Sequence, residues 1–272
     1  MSPTRAGLDR TDHAQSLEAP PTTNHRLGLP EEVRACLFDL DGVLTDTAKV
    51  HAAAWKDVFD GYLRSRSDTN GEPFVPFDAD TDYHAYVDGE TRADGIRSFL
   101  RARAIELADG AHGERPGTVT VQGLGDAKNA IFLRNIREYG VEAYPGSVRY
   151  VRAAVSAGLR RAVVSSSANC AAVLAAAGLA EFFEVRIDGL TVEADHLAGK
   201  PAPDTFLAAA RALGVDPSQA AVFEDSLSGV EAGRKGGFGF VIGVDRVGQA
   251  EVLGIHGADV VVSDLAELLD RL

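Results

Sequence analysis

Residues 38–47 read Phe-Asp-Leu-Asp-Gly-Val-Leu-Thr-Asp-Thr, and a short apolar run, residues 33–37, comes directly before them. The apolar run predicts a buried strand, so Asp39 and Asp41 follow at the point where that strand ends. Side chains two positions apart on a strand share one face, which allows both carboxylates to enter one site. Gly42 then permits the chain to turn without a steric penalty.

Two carboxylates directed at one spot repel each other unless a cation or a shared proton relieves the repulsion. Such a pair is suited to holding Mg²⁺ and to transferring a phosphoryl group. A solvated acidic turn is the alternative that this stretch alone leaves open, because Asp-Gly is a common turn dipeptide. Motifs elsewhere in the sequence distinguish the two interpretations.

Short apolar strands alternate with helical patterns from about residue 145 to the end of the chain. The strands are predicted at residues 161–165, 182–187, 220–223, 238–242 and 258–262. This alternation predicts a doubly wound α/β core, in which a parallel sheet is covered by helices on both faces. Ligands of such sheets bind beyond the carboxyl ends of the strands, where the strand order reverses.

The middle of the chain has a different, mainly helical character. Its helical patterns cover residues 48–64, 92–107 and 126–139. Loops are predicted at residues 65–83 and 108–125, with one weak strand pattern at 118–121. We therefore predict a helical insert over residues 48–144 and an α/β core formed by residues 30–47 and 145–272. Residues 1–29 are polar and without periodicity, which predicts a mobile tail.

Composition restricts the partners of the chain. Its 272 residues include 27 Lys or Arg and 40 Asp or Glu, so the net charge is −13 and the pI is near 4.9. A field of this sign disfavours nucleic acid and anionic membranes, and a phosphorylated substrate would need a local group of positive side chains. No apolar stretch resembles a membrane span or a signal peptide, which predicts a cytoplasmic protein. Cys36 and Cys170 imply no disulfide framework.

Three further polar motifs lie at predicted strand ends or helix starts. Ser165 and Ser166 follow a strand and precede a helix, where hydroxyls and free amides can seat phosphate oxygens. Lys200 precedes another helix, and Glu224 and Asp225 end another strand, where they could complete an oxygen-rich Mg²⁺ shell. Taken singly, these groups could be helix N-caps and a solvated lysine. Their joint order favours a phosphoryl-transfer site.

This order of motifs resembles the haloacid-dehalogenase superfamily of phosphotransferases, and within it the β-phosphoglucomutase-like group. The resemblance covers about residues 31–265. It is closest in the segment from Asp39 to Thr47, with His51 and Trp55 following, and in the Gly-Lys-Pro-Ala-Pro-Asp motif that contains Lys200. The resemblance implies the same doubly wound core with a helical cap.

The resemblance also implies roles for the core residues. Asp39 would be the nucleophile that forms an aspartyl phosphate, and Asp41 would be the general acid/base. We expect the pKa of Asp41 to lie above that of Asp39, because Asp41 must carry a proton in part of the cycle. Ser165, Ser166 and Lys200 would hold the phosphoryl group. Mg²⁺ would be held by Asp39, by the backbone carbonyl of Asp41, and by Glu224 and Asp225.

The helical insert resembles the cap that closes over substrate in this group and excludes water. The residues implied for substrate or cap contacts are His51, Trp55, Gly89, Arg92, Lys128 and Asn169. Arg92 would grip the phosphate that is not transferred, and Lys128 would reach into the site, although a solvated helix residue is the alternative for each. Asp88 and Ala168 stand where a close relative tends to carry lysine, so the substrate stays open.

The function implied by the resemblance is a Mg²⁺-dependent phosphomutase that converts β-glucose 1-phosphate to glucose 6-phosphate through a bisphosphate. The alternative is a phosphatase acting on a sugar phosphate or another small phosphate ester, with water as the acceptor. A receiver domain also carries a phospho-accepting Asp, but that Asp follows a central strand in the chain order, whereas Asp39 follows the first. We expect a monomer that acts on a small phosphorylated sugar.

Overall fold

The computed structural model describes residues 24–111, 114 and 118–269, and a six-stranded parallel sheet lies at its centre. The strands are β1 (Ala35–Phe38), β2 (Arg160–Val164), β3 (Val185–Ile187), β4 (Ala220–Glu224), β5 (Phe240–Val244) and β6 (Val260–Val262). Their order across the sheet is β3-β2-β1-β4-β5-β6, and every pairing is parallel. The predicted doubly wound α/β core is therefore confirmed.

Helices connect the strands and cover both faces of the sheet. Within the described residues the α-helices are α1 (Ala48–Asn70), α2 (Arg92–Ala102), α3 (Val121–Tyr139), α4 (Pro145–Ser156), α5 (Cys170–Ala176), α6 (Gly189–Ala194), α7 (Asp204–Leu213), α8 (Leu227–Lys235), α9 (Ala250–His256) and α10 (Ala266–Leu269). Short 3₁₀ segments lie at His25–Leu27, Ala180–Phe182 and Pro217–Gln219, and a π-helical turn lies at Tyr83–Val87.

Alternation along β1 divides the core into two layers. Cys36 and Phe38 are fully buried in one apolar cluster with side chains from α4, α5 and α10. Ala35 and Leu37 are fully buried in the other, with side chains from α7, α8 and α9. A strand that is buried on both faces has a continuous run of apolar residues. This is why the sequence predicted β1.

The strand order reverses between β1 and β4. After β1 the chain adds β2 and then β3 on one side, and it returns to place β4 on the other side of β1. The segment after β1 begins with Asp39, and β4 ends with Glu224, so both acids lie at the switch point. Backbone pairing continues past β1, since the Asp39 N–H donates to the carbonyl of Phe223 at 2.9 Å.

A third apolar cluster joins α1, α2 and α3 with the segment between α1 and α2. Phe59 lies at its centre, with ring centroids 4.2 Å from Phe99 and 5.2 Å from Phe77. Trp55 stacks on Phe59 at 5.1 Å, one turn earlier on α1. The helical spacing of aromatic residues seen in the sequence of α1 thus reflects one buried face of this helix.

Several details differ from the predicted elements, and one of them is that helix α2 ends at Ala102, five residues before its predicted end. Helix α1 continues to Asn70 and ends at Gly71, whose φ of 69° fits the left-handed cap, so the first part of the predicted loop at 65–83 is helical. Helix α3 begins at Val121 because the Thr120 hydroxyl accepts from the Gly123 N–H and caps it. The loop prediction for 121–125 and the weak strand pattern at 118–121 are therefore wrong.

The predicted tail also needs a correction where the structure describes it. Residues 1–23 lie outside the described residues, but Leu27 and Leu29 are buried in the first core cluster. The Tyr150 hydroxyl donates to the Leu27 carbonyl at 2.8 Å, which fixes this segment against α4. Packing of two leucines, which the polar average of the segment conceals, explains why residues 24–29 are not a free tail.

In the described part of the chain no helix is long and apolar enough to cross a membrane.

Candidate active site

The turn after β1 brings the first two aspartates against the acids that follow β4. Gly42 has a φ of 84°, and a Cβ at this position would lie 1.7 Å from Asp225 Oδ2. Only glycine therefore permits the close approach of the turn to Asp225. The Gly42 N–H donates to the Thr45 carbonyl at 2.8 Å and closes the turn.

Lys200 joins the nucleophile candidate to the metal-ligand candidates. Its Nζ lies 2.6 Å from Asp39 Oδ1 and also contacts Glu224 Oε1, and all three side chains are buried. Burial alone would lower the pKa of Lys200, but the two carboxylates outweigh it and raise that pKa. Lys200 is therefore a permanent cation, fixed where phosphoryl charge would develop.

The pKa of Asp39 is raised well above its ordinary value, first by burial and then by the charges of Glu224 and Asp41, against the opposing effect of Lys200. The pKa of Asp225 is also raised, by burial and by the charges of Asp88 and Asp39. These carboxylates repel each other in the protein alone. A cation among them would relieve that repulsion.

The carboxylates fit a hard dication. Within the described residues, Asp39, Glu224 and Asp225 each offer one oxygen, and these oxygens all lie within 4.8 Å of one another. Mg²⁺ prefers a few carboxylates together with water and substrate oxygens, so this donor set suits it. Glu224 is itself fixed, since its Oε2 accepts from Ser226 through the N–H at 3.2 Å and the hydroxyl at 3.0 Å.

Asp41 lies in a different environment from Asp39. Its Oδ1 accepts from the Thr47 hydroxyl and lies 3.5 Å from His51 Nε2, and its Oδ2 lies 3.5 Å from the Ser165 hydroxyl. Burial would raise the pKa of Asp41, but His51 and Thr47 together hold it below its ordinary value. The expected order, with the pKa of Asp41 above that of Asp39, is reversed in the protein alone. The reason is that hydrogen-bond donors surround Asp41, whereas carboxylates surround Asp39.

His51 is held from the other side by Lys128. Lys128 Nζ lies 2.6 Å from His51 Nδ1, and it also lies 4.9 Å from the Trp55 ring and 4.8 Å from the Phe132 ring. When Lys128 carries its proton, it can only donate in this contact, so the ring proton of neutral His51 then lies on Nε2, which faces Asp41. Burial and the charge of Arg92 lower the pKa of Lys128 to about 7. Burial and the charge of Lys128 lower the pKa of His51.

The two serines of the motif make different contacts, Ser165 with the core and Ser166 with the turn at Gly89. The Ser165 hydroxyl accepts from the Ser167 N–H at 3.1 Å and lies 3.5 Å from Asp41 Oδ2. The Ser166 hydroxyl instead donates to the Gly89 carbonyl at 2.7 Å. Its single hydroxyl proton is thus used in this contact, and the phosphate-binding role of Ser166 stays a prediction.

Gly89 and Asn129 contact residues of the core range, and Arg92 is joined to these contacts through Asn129. Gly89 has a φ of 73°, and a Cβ there would lie 2.6 Å from the Ser228 hydroxyl and 3.0 Å from that of Ser226. Arg92 Nη2 donates to Asn129 Oδ1 at 3.0 Å, and Asn169 Nδ2 donates to the same oxygen at 2.6 Å. The predicted site residues of the insert therefore meet those of the core directly.

These side chains enclose a cavity of about 60 Å³. Of the predicted site residues, the following line it: Asp39, Asp41, His51, Trp55, Gly89, Arg92, Lys128, Ser165, Ser166 and Asp225. Lys200, Glu224 and Asn169 do not line it and support the lining residues from behind. Small-molecule sites usually measure several hundred Å³. The cavity in this structure is therefore smaller than a typical small-molecule site.

Some contributors were not predicted from the sequence. Thr47 precedes α1 within the first motif, and only its contact with Asp41 shows its role. Tyr83 lines the cavity from the π-helical turn. Arg246 Nε donates to the Gly42 carbonyl at 2.8 Å, and Gln249 Nε2 donates to the Asp225 carbonyl at 3.1 Å. The loop after β5 thus holds the backbones of both acidic segments, a function that no local motif signals.

A family model described as haloacid dehalogenase-like hydrolase matches residues 33–237, a range that contains every site residue named above except the loop after β5. The chain belongs to the haloacid dehalogenase-like hydrolase family. The matched range begins just before β1 and ends just after α8, so it spans the first acidic motif and the last. The family resemblance predicted from those motifs is confirmed.

Individual relatives of the chain include both a mutase and a phosphatase. A β-phosphoglucomutase of Mycobacterium bovis is 57% identical over 253 residues, which cover 92% of this chain and 97% of that protein. A fructose-1-phosphate phosphatase of Escherichia coli is 29% identical, over 76% of this chain and 94% of that protein. The crystal structure of a β-phosphoglucomutase from Clostridium difficile superposes with a TM-score of 0.68 at 23% identity, over 87% of this chain and 93% of that one, and supports the fold.

Proposed function

We propose that this protein is a Mg²⁺-dependent β-phosphoglucomutase, which converts β-glucose 1-phosphate to glucose 6-phosphate through an aspartyl phosphate on Asp39. The observation that carries the proposal is the placement of two differently supported aspartates in one small cavity. Asp39 is paired with Lys200, and Asp41 is held by Thr47 and His51. The 57% identity to a protein named β-phosphoglucomutase supports the choice of substrate.

Each half of the proposed reaction uses the two aspartates in complementary roles. In the forward half, the Asp39 carboxylate attacks phosphorus of a glucose bisphosphate, the bond from phosphorus to the sugar oxygen breaks, and Asp41 gives its proton to that oxygen. In the return half, the 6-hydroxyl of β-glucose 1-phosphate attacks the phosphorus held on Asp39, and its proton passes to Asp41. His51, which lies 3.5 Å from Asp41 Oδ1, positions that carboxyl group.

The metal proposal follows from the same acids. Asp39, Glu224 and Asp225 would hold Mg²⁺ through their carboxylates, together with the backbone carbonyl of Asp41. Bound there, Mg²⁺ would keep Asp39 ionised and offset the negative charge of the transferring phosphoryl group. Lys200 contributes a second positive charge from the protein itself, already within 2.6 Å of Asp39.

A mutase must keep water away from its aspartyl phosphate, and we propose that residues 48–144 form the cap that does so. This cap would rest on the core formed by residues 30–47 and 145–272. Two of its contacts with the core are the Ser166 bond to Gly89 and the Asn169 bond to Asn129. The small volume of the cavity in this closed form supports the role.

A phosphatase is the second candidate, and one observation favours it. Asp88 and Ala168 both line the cavity, so neither position supplies a cation for a second phosphate, and Asp88 adds negative charge there. Arg92 would then bind the second phosphate with less support, and water would compete better as the acceptor. The phosphatase named among the relatives shows that this family includes such enzymes.

We further propose that the protein acts in the cytoplasm, as a monomer, on small phosphorylated sugars. The net charge of −13 supports a small anionic substrate drawn in by local cations over a nucleic acid or membrane partner.

The test is to incubate the protein with β-glucose 1-phosphate, Mg²⁺ and a trace of glucose 1,6-bisphosphate while following glucose 6-phosphate and free phosphate together. Formation of glucose 6-phosphate at least ~100-fold faster than phosphate would support the mutase, since each 1.4 kcal/mol of discrimination against water gives a factor of ten. Phosphate release without isomerisation would establish the phosphatase. If neither glucose 6-phosphate nor free phosphate forms, the glucose assignment is refuted.

A further inference from the structure

One amide side chain connects the cap, the core and the candidate phosphate-binding arginine. Asn129 lies on α3, directly after Lys128. Its Oδ1 accepts from Arg92 Nη2 of α2 at 3.0 Å and from Asn169 Nδ2, just before α5, at 2.6 Å. Arg92 lines the cavity, whereas Asn169 is buried beside it. A single oxygen thus joins two helices of the proposed cap to the start of a core helix.

The chemistry of the acceptor is informative. A guanidinium group has five N–H donors, so Arg92 retains donors for an anion after one is used on Asn129. An amide oxygen orients the guanidinium without cancelling its charge, whereas a carboxylate would form an ion pair with it and compete with an incoming phosphate. Asn129 is therefore an acceptor that fixes Arg92 without adding a further carboxylate to Asp126 and Glu193, whose charges already act on this guanidinium.

We propose that Asn129 is a positioning residue with two linked tasks, orienting Arg92 toward the second phosphate of the substrate and latching the closed cap to the core through Asn169. The proposal rests on the proposed phosphotransferase function for its substrate. Because one oxygen serves both partners, closing the cap onto Asn169 brings the oriented Arg92 to its place beside the core. A substrate with a second phosphate is thus recognised in the closed form.

Two substitutions separate the tasks. Asn129→Asp keeps an acceptor for both partners but places a negative charge against Arg92. We expect its KM for β-glucose 1-phosphate to rise at least ~10-fold with little change in kcat, which corresponds to about 1.4 kcal/mol of lost binding.

Asn129→Leu removes the acceptor at similar size. We expect it to release at least ~10-fold more phosphate per glucose 6-phosphate formed, because a less firmly closed cap admits water.

The matched control is Asn135→Asp, which makes the same chemical change six residues later on α3. It should leave KM and the product ratio within about twofold of the wild type, as is usual for a substitution outside such contacts. A KM for Asn129→Asp no higher than that of Asn135→Asp would overturn the orienting task. An unchanged product ratio in Asn129→Leu would overturn the latch.

A measurement without substrate separates this proposal from the proposed function. Hydrogen–deuterium exchange of the unliganded protein is followed at the amides of residues 86–92. We expect faster exchange in Asn129→Leu than in wild type and in Asn135→Asp, because the latch holds this segment on the core. Equal exchange would overturn the latch even if the wild type proves to be a mutase. Should Asn129→Leu fail to fold, Asn129→Ala takes its place in both experiments.

Discussion

At the scale of single residues, the two leading aspartates are differentiated by their neighbours. Asp39 lies among carboxylates and one lysine, and Asp41 lies among hydroxyl and imidazole donors. The same side chain can therefore serve as nucleophile in one position and as proton carrier in the other, since environment sets the role of each carboxyl group.

Asp39→Asn should abolish turnover and leave the fold intact. The amide is a poor nucleophile, so we expect kcat to fall at least ~1000-fold, while removal of one of several repelling carboxylates costs little stability. Steady-state kinetics and thermal unfolding of the same preparation provide the two readings. Asp57→Asn, an exposed change on α1, is the control. Loss of the folding transition together with loss of activity would contradict this expectation.

Lys128 is expected to reduce stability near neutral pH. Its pKa in the folded protein is about 7, below the ordinary value of a lysine, because burial disfavours the ammonium. The unfolded chain therefore binds more protons above pH 7, and the free energy of unfolding rises with pH through this group. We expect Lys128→Met to raise the free energy of unfolding by about 1–3 kcal/mol at or below neutral pH and by less at alkaline pH.

Urea unfolding of wild type and Lys128→Met at several pH values measures this difference. A gain that grows toward alkaline pH would contradict the expected sign. Activity should fall in the same variant, because His51 loses the donor that fixes its tautomer.

At the scale of structural elements, the turn that follows the π-helical segment Tyr83–Val87 contacts the core at Ser166, where we propose that the cap meets it. A Cβ at Gly89, whose φ is 73°, would lie 2.6 Å from the Ser228 hydroxyl, so a side chain there would displace that hydroxyl. The Ser166 bond to the Gly89 carbonyl depends on that approach. We therefore expect this turn to be one of the points at which the proposed cap rests on the core.

Gly89→Ala should impair catalysis more than folding. The left-handed φ costs about 1–2 kcal/mol for any non-glycine residue, and the added methyl group also prevents full closure. Gly71→Ala is a matched control, because Gly71 has a φ of 69° with no atom within 4 Å of a built Cβ. We expect similar losses of stability in both variants but a fall in kcat of about tenfold or more only in Gly89→Ala. Equal kcat values in the two variants would refute a role of the Gly89 contact in catalysis.

At the scale of the whole molecule, an acidic protein concentrates part of its negative charge at the end of the central strands. Asp39, Glu224 and Asp225 come from segments nearly 190 residues apart in sequence, yet their oxygens lie within 4.8 Å. Without a bound cation, folding must therefore overcome the repulsion between these carboxylates, which Lys200 offsets only in part. Stability of the whole fold should consequently depend on a divalent cation.

Mg²⁺ is expected to stabilise the native protein relative to EDTA. A Mg²⁺ concentration tenfold above its Kd adds about 1.4 kcal/mol to the free energy of unfolding when the unfolded chain does not bind it. Asp225→Asn should abolish most of this gain, and it should be at least as stable as wild type in EDTA because one repelling charge is gone. Thermal unfolding of both proteins with and without Mg²⁺ measures the effect. An undiminished Mg²⁺ gain in Asp225→Asn would contradict the metal assignment.

The sequence by itself determined the fold class, and it predicted core residues that the structure brings together in the candidate site. Apolar strands, glycine turns and the order of Asp39, Ser165, Lys200 and Glu224 are local signals, because each motif marks a strand end or a helix start and parallel strands place those ends at one edge. The boundaries of α1 and α3 were less accurate, since capping by Gly71 and Thr120 competes with residues that look like a loop.

Only the tertiary structure decided how these residues are supported. The contact of His51 with Lys128, the shared acceptor Asn129, the Arg246 bond to Gly42 and the reversed pKa order of Asp39 and Asp41 all depend on groups distant in sequence. The physical reason is that burial and electrostatic interaction depend on separation in space, which a linear pattern does not record.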